Sequence, residues 1–244
     1  MPSAARETAR RMTALTTPPP DLVATREALR SLACYVIAPA CKARTGRIGL
    51  RPTGDGIATP PFDDGTRIGV RGDRLVVAAD DEVPITTLRA GAARVGIDLS
   101  DDPGVGHDLP PFAPDRPLTV DADASRWLAA WYAYGAGHLE RLHGRFPDGA
   151  VSEAQLWPEH FDLAVTVDVG GDSVNVGFSP GDGWLAEPYV YVGPHDTSDL
   201  TDVFWNAPFG SVLTHAELRA AADPDGACAG FIDDGLRLVA SRPR

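Results

Sequence analysis

Two histidines and two carboxylates in the second half of the chain, His160, Asp162, Glu187 and His195, are of types that move protons or hold divalent ions. His160 shares strand parity with Asp162, which would aim both side chains at the polar face. Glu187 opens a later run of alternating residues, and His195 lies just beyond its end. Asn175 and Tyr189 fall on the same polar face, and Trp205 belongs to an aromatic flank beside it. Such a group could serve in general acid–base chemistry, alone or metal-assisted. Equally, the same residues could satisfy local backbone groups at the ends of solvated strands.

Other motifs carry less. Gly177-Phe178-Ser179-Pro180-Gly181 matches the G-x-S-x-G pattern of serine hydrolases. The residue after the serine must donate its backbone N–H to an oxyanion, and Pro180 has none; a turn between strands accounts for the same residues. His138 and His143 lie five apart on a predicted helix, so they project about 140° apart and do not share an ion. Asp121-x-Asp123-x-Ser125 opens like a calcium loop, but Arg126 and Tyr132 replace its turn glycine and its bidentate glutamate, leaving helix N-terminal charge. No metal ligand set is assigned, and no cofactor is specified. Gly104-Val105-Gly106 lacks the third glycine of a phosphate cradle.

The elements that must position these residues are legible in part. Phe161, Leu163, Val165, Val167 and Val169 alternate with Asp162, Ala164, Thr166 and Asp168. Gly170-Gly171-Asp172 supplies a turn, Val174, Val176 and Phe178 resume the alternation, and Glu187 to Val192 forms a third run. Period two of this kind predicts an antiparallel meander with one buried face. A second hairpin is predicted where Ile68 and Val70 oppose Leu75 and Val77 across Gly72-Asp73. Helices are predicted from Asp21 to Pro39, which should end the first of them, over 88–95, from Asp121 or Asp123 to about Phe146, from Thr214, and over 226–240. Ser152-Glu153-Ala154-Gln155 and Thr214-His215-Ala216-Glu217 both read as capping boxes. A short strand is expected over 47–51 and a loop over 52–65.

Aromatics gather around the meander: Trp157, Trp184, Tyr189, Tyr191, Phe204, Trp205 and Phe209. A polar surface rimmed in this way suits a small polar, ring-bearing or sugar-like ligand.

Composition limits the partners. The net charge is −12 and Lys42 is the one lysine among 22 cations, which opposes binding of a phosphate backbone over a broad surface. Arg6, Arg10 and Arg11 form the local exception, in a predicted flexible tail over residues 1–20. There is no apolar run of membrane-spanning length and no signal-peptide core near Met1. Three cysteines, Cys34, Cys41 and Cys228, lack metal spacing and fit a reduced cytoplasmic setting.

Thr45 to Pro52, Leu156 to Val165, Gly177 to Asp182, Glu187 to Pro194 and Phe204 to Gly210 together resemble a group of uncharacterised actinobacterial proteins, with a fainter likeness to a wider domain family of unknown function. The resemblance runs from about Leu22 onward. It implies a cytoplasmic bacterial protein and brings no activity, cofactor or catalytic residue.

The expected fold is α+β, with antiparallel hairpin and meander sheets packed on three or four helices. Residues 21–244 would form one domain, with two lobes (21–99 and 119–244) joined by an Asp/Pro-rich loop. Three functional readings follow. The first is a module binding a small polar ligand on the 161–193 meander. The second is a hydrolase or isomerase using His160 with Asp162 or Glu187. The third is a protein-interaction domain.

Overall fold

The computed structural model describes residues 12–78 and 80–242. The arginines Arg6, Arg10 and Arg11 lie outside the described residues. The fold is α+β, with ten strands in two antiparallel sheets and six α-helices bounded within the described residues. Two compact units divide the chain: Met1–Ala133 with Gln155–Phe161, and Tyr134–Ala154 with Asp162–Arg244. The loop over 97–118 lies inside the first unit.

In the first unit, helix α1 (Leu22–Leu32) runs through a π-helical turn (Ala33–Ile37) into α2 (Ala38–Thr45). Leu22, Leu29, Leu32, Val36 and Ile37 are buried, as the apolar stripe requires. Pro39 does not end the helix. The wider turn before it places Pro39 in the first turn of α2, where its missing N–H has no ladder partner to lose. Gly46, at φ 73°, makes the stop instead.

The first sheet has the order β1 (Arg51–Pro52), β2 (Gly56–Ala58), β3 (Gly69–Arg71), β4 (Arg74–Ala78) and β5 (Asp81–Pro84). The hairpin across Gly72-Asp73 has the expected register, with Val70 opposite Leu75. The segment 52–65 is not all loop, because it contains β2. Val70 and Leu75 are buried in the unit's core. Helix α3 (Leu88–Val95) is capped by the Thr87 hydroxyl, which accepts from the Ala90 N–H at 3.1 Å.

A longer helix, α4 (Ala122–His143), starts where Asp121 Oδ1 accepts from the Ala124 N–H at 2.8 Å. Ser152 to Gln155 open no helix. Gln155 starts strand β6 (Gln155–Trp157), whose Leu156 bridges Leu50, and the Ser152 hydroxyl accepts from the Thr166 N–H at 2.8 Å.

The second unit holds the meander: β7 (Asp162–Val169), β8 (Asp172–Ser179), β9 (Tyr189–Pro194) and β10 (Ser211–Thr214). Gly170 and Gly171, at φ 63° and 91°, form the two-residue turn that only a left-handed pair closes. Leu163, Val165, Val167, Val174, Val176, Phe178, Val190 and Val192 share the inner face and are buried. Helices α5 (His215–Ala220) and α6 (Pro224–Ala240) follow. The first has the expected capping box: Thr214 accepts from Glu217, and Glu217 reaches back to the Thr214 N–H. α6 packs across the meander strands.

Candidate functional site

The opposite face of the meander carries the residues that the alternation placed there. Register sets Thr166 opposite Asn175, Gly177 opposite Tyr191, and Ser179 opposite Tyr189. Gly177 is needed because the Tyr191 ring lies on it, and a Cβ there would come within 2.6 Å of the ring. The Tyr191 hydroxyl thereby reaches Asp162, to whose Oδ2 it donates a hydrogen bond. Loss of solvent, followed by the Asp162 charge, pushes Tyr191 well above its ordinary pKa.

Beside this pair, the Tyr189 hydroxyl donates to Asp182 Oδ2 at 2.6 Å. Asp182 Oδ1 accepts from the N–H groups of Trp184 and Leu185 at 2.8 and 2.9 Å, which shapes the 180–188 turn. Burial raises Tyr189 as well, and its hydrogen bond to Asp182 adds to the shift. Ser179 ends β8 in a turn, its hydroxyl accepting from the Gly181 N–H at 3.1 Å. No helix follows it.

The end of this face at Tyr189 and Tyr191 is packed under the chain's own aromatic side chains. Trp184 lies 5.3 Å from Phe209 and 6.1 Å from Tyr189, centroid to centroid, and Tyr191 lies 6.3 Å from Phe209. Those spacings are those of rings packed directly on one another, about 4.5–7 Å. Asp162, Ser179 and Tyr189 keep only 6%, 3% and 4% exposure beneath this layer. The arrangement is a second small core with an internal carboxylate–phenol pair.

The other candidates fall elsewhere. Asn175 Oδ1 accepts from the Thr166 hydroxyl at 2.9 Å and lies 3.2 Å from Nε2 of exposed His195. Thr166 is four residues along β7 from Asp162, about 13 Å at the rise of a strand. Trp205 packs edge-on against Phe204 at 5.0 Å and under the Arg242 guanidinium at 5.7 Å. Glu187 is half-buried just before β9 and makes no hydrogen bond or ion pair to a described residue.

His160 is exposed in the turn between β6 and β7. Phe161, at φ 56°, interrupts the extended backbone, so strand parity starts only at Asp162 and does not extend back to His160. That conformation is held by the Phe161 N–H donating to the Trp157 carbonyl at 2.7 Å and by the Tyr132 hydroxyl on the Phe161 carbonyl.

Open space exists on the first sheet. Ala58 pairs with Gly69, and Gly69 with Val76, so these three small or medium residues share one face and form a shallow floor. With Ala78 they line a cleft of about 370 Å³. At its rim Arg71 is held by Asp55 through Nε at 2.9 Å and by Glu82 through Nη1 at 3.3 Å. Asp64 accepts from the Thr66 hydroxyl at 2.6 Å and the Thr66 N–H at 2.9 Å, and these bonds lower its pKa. Arg67 is exposed and makes no hydrogen bond or ion pair to a described residue.

Sequence reasoning missed this cleft because β2 is three residues long, too short to register a period. The available signal was small residues, Gly56, Ala58 and Gly69, on either side of a predicted loop.

Among the described residues, no group of three or more His, Cys, Asp or Glu side chains is placed to hold a metal ion, and no helix is long and apolar enough to cross a membrane. Cys34, Cys41 and Cys228 are free and buried. Burial pushes the Cys34 thiol up to about 12, against the opposing pull of Arg30, which disfavours the thiolate. Compared with protein-family models, curated proteins and solved structures, the chain finds no match.

Proposed function

We propose that this protein binds a small organic molecule in the cleft on the outer face of its first sheet. The observation that carries this reading is the cleft itself: about 370 Å³ over an apolar floor with a charged rim. Small-molecule sites span roughly 300–1,000 Å³ and combine these two features. The ligand-binding function expected from the sequence is kept, and its place moves from the meander to the first sheet. On the meander, Asp162, Ser179 and Tyr189 are buried, and the Tyr189 ring packs against Trp184 and Phe209, which favours the first sheet as the place for a ligand. Acid–base catalysis by His160 with Asp162 or Glu187 draws no support from this geometry. A cytoplasmic setting, with three free cysteines, belongs to the same proposal.

The test is a thermal-shift screen of a metabolite library on the wild type and on Ala78→Phe, which fills the cleft from a half-buried position. A ligand at a hundredfold its dissociation constant stabilises the fold by roughly 2.7 kcal/mol. A shift present in the wild type and lost in Ala78→Phe is the expected result. A shift that survives Ala78→Phe places the site elsewhere, and the proposal fails.

A further inference from the structure

We infer that the ligand of this cleft is a small carboxylate with a compact apolar body, an inference that rests on the cleft being a binding site. The argument turns on which rim groups still have bonding capacity. Of the rim carboxylates, Asp55 is paired with Arg71 at 2.9 Å, and Asp64 accepts two hydrogen bonds from Thr66 on Oδ1. Arg71 spends Nε on Asp55 and Nη1 on Glu82, which leaves Nη2 with no bond to a described residue. Arg67 spends nothing on any described residue.

The unused hydrogen-bond donors of the rim are therefore guanidinium N–H groups, those of Arg67 and Nη2 of Arg71, although the whole chain carries −12. Charges beyond the site are screened over about 8 Å at physiological salt, and of the local charged groups only the guanidiniums can donate to an anionic ligand. A planar guanidinium fork matches a carboxylate through two parallel N–H···O bonds. The floor of Ala58, Gly69, Val76 and Ala78 offers no polar side chain to a ligand body and favours an apolar one.

The experiment is calorimetric titration of the full chain with 3-phenylpropionate, with its neutral primary amide and with phenyl phosphate. Each titration is repeated on Arg67→Gln, Arg67→Lys and Ala78→Phe. The expected result is binding of the acid, at least about tenfold weaker binding of the amide, and a similar loss for the acid in Arg67→Gln. Arg67→Lys should recover part of that loss, and Ala78→Phe should abolish binding. Equal binding of acid and amide, or an acid affinity unchanged in Arg67→Gln, overturns the carboxylate assignment. If that binding is lost in Ala78→Phe, the cleft reading itself survives. Preference for phenyl phosphate over the acid also overturns the assignment, in favour of a phosphate ester. Absence of binding by all three probes overturns this inference, and a library screen that is also silent overturns the cleft reading with it.

Discussion

Asp162 and Tyr191 show how one missing side chain sets up a buried polar pair. Because position 177 is glycine, the Tyr191 ring lies flat against the sheet and its hydroxyl meets the carboxylate. Tyr191→Phe removes that donor and leaves a carboxylate of 6% exposure with one bond fewer. The expected cost is about 1–3 kcal/mol in urea unfolding at neutral pH. A change below a few tenths would mean that Tyr191 contributes packing alone. The pair also sets an alkaline limit. Tyr191 is raised above its ordinary 10.0, so the native state keeps a proton that the unfolded chain sheds. The resulting stability is fully present below pH 10 and is lost as pH rises above it. Tyr189, raised by the same burial, acts in the same direction. In Tyr191→Phe the fall of the urea midpoint above pH 10 should be shallower than in the wild type, and equal slopes would contradict the assignment.

Helix α4 contains two glycines whose replacement should act in opposite directions. A Cβ on Gly137 meets nothing within 4 Å, so Gly137→Ala should stabilise by about 1 kcal/mol through helix propensity. A Cβ on Gly135 would lie 2.6 Å from Cγ of Phe178, a fully buried ring. Gly135→Ala should therefore destabilise by about 1–3 kcal/mol despite the same gain in propensity. Paired denaturation curves check both, and a stabilised Gly135→Ala would mean that Phe178 yields freely. At the edge of the meander, β10 carries its own stopper. The Asn206 side chain accepts from the Val212 N–H at 2.8 Å and donates to the Val212 carbonyl at 3.0 Å. It occupies the groups that another strand would use. Asn206→Ala should produce concentration-dependent association, read as a rising mass in light scattering. A variant that stays at the wild-type mass at every concentration would show that the edge is protected by other means.

For the whole molecule the dominant global quantity is charge. A net −12 repels itself, and several of the ion pairs that oppose it, Arg71–Asp55, Arg89–Asp115 and Arg237–Asp234, are between exposed groups. Exposed pairs contribute about 0–1 kcal/mol each and are screened along with the repulsion. Self-repulsion should therefore win, and the urea midpoint should rise as sodium chloride is raised from about 0.01 M to about 0.15 M, where the Debye length shortens from about 30 Å to about 8 Å. A midpoint that falls would show that the ion pairs outweigh the repulsion.

The sequence alone determined the meander, because alternation and turn chemistry are local. Val165, Val176 and Val192 fall on one face by period two, and Gly170-Gly171 closes the hairpin whatever surrounds it. The capping box at Thr214 and the register of Val70 on Leu75 were legible for the same reason. Tertiary structure decided everything that depends on segments distant in the chain. It determined that Trp184 and Phe209 pack on Tyr189 and Tyr191, which turned one end of the polar face into a small core. It set Phe161 at positive φ through contacts with Trp157 and Tyr132, which removed His160 from the strand. It also paired the three residues of β2 with β3, which gave the cleft its floor. A pattern of apolar and polar residues records which side of its own strand faces a core. It holds no record of which other segment covers the far side, because that is settled by the competition of all loops for the same surface.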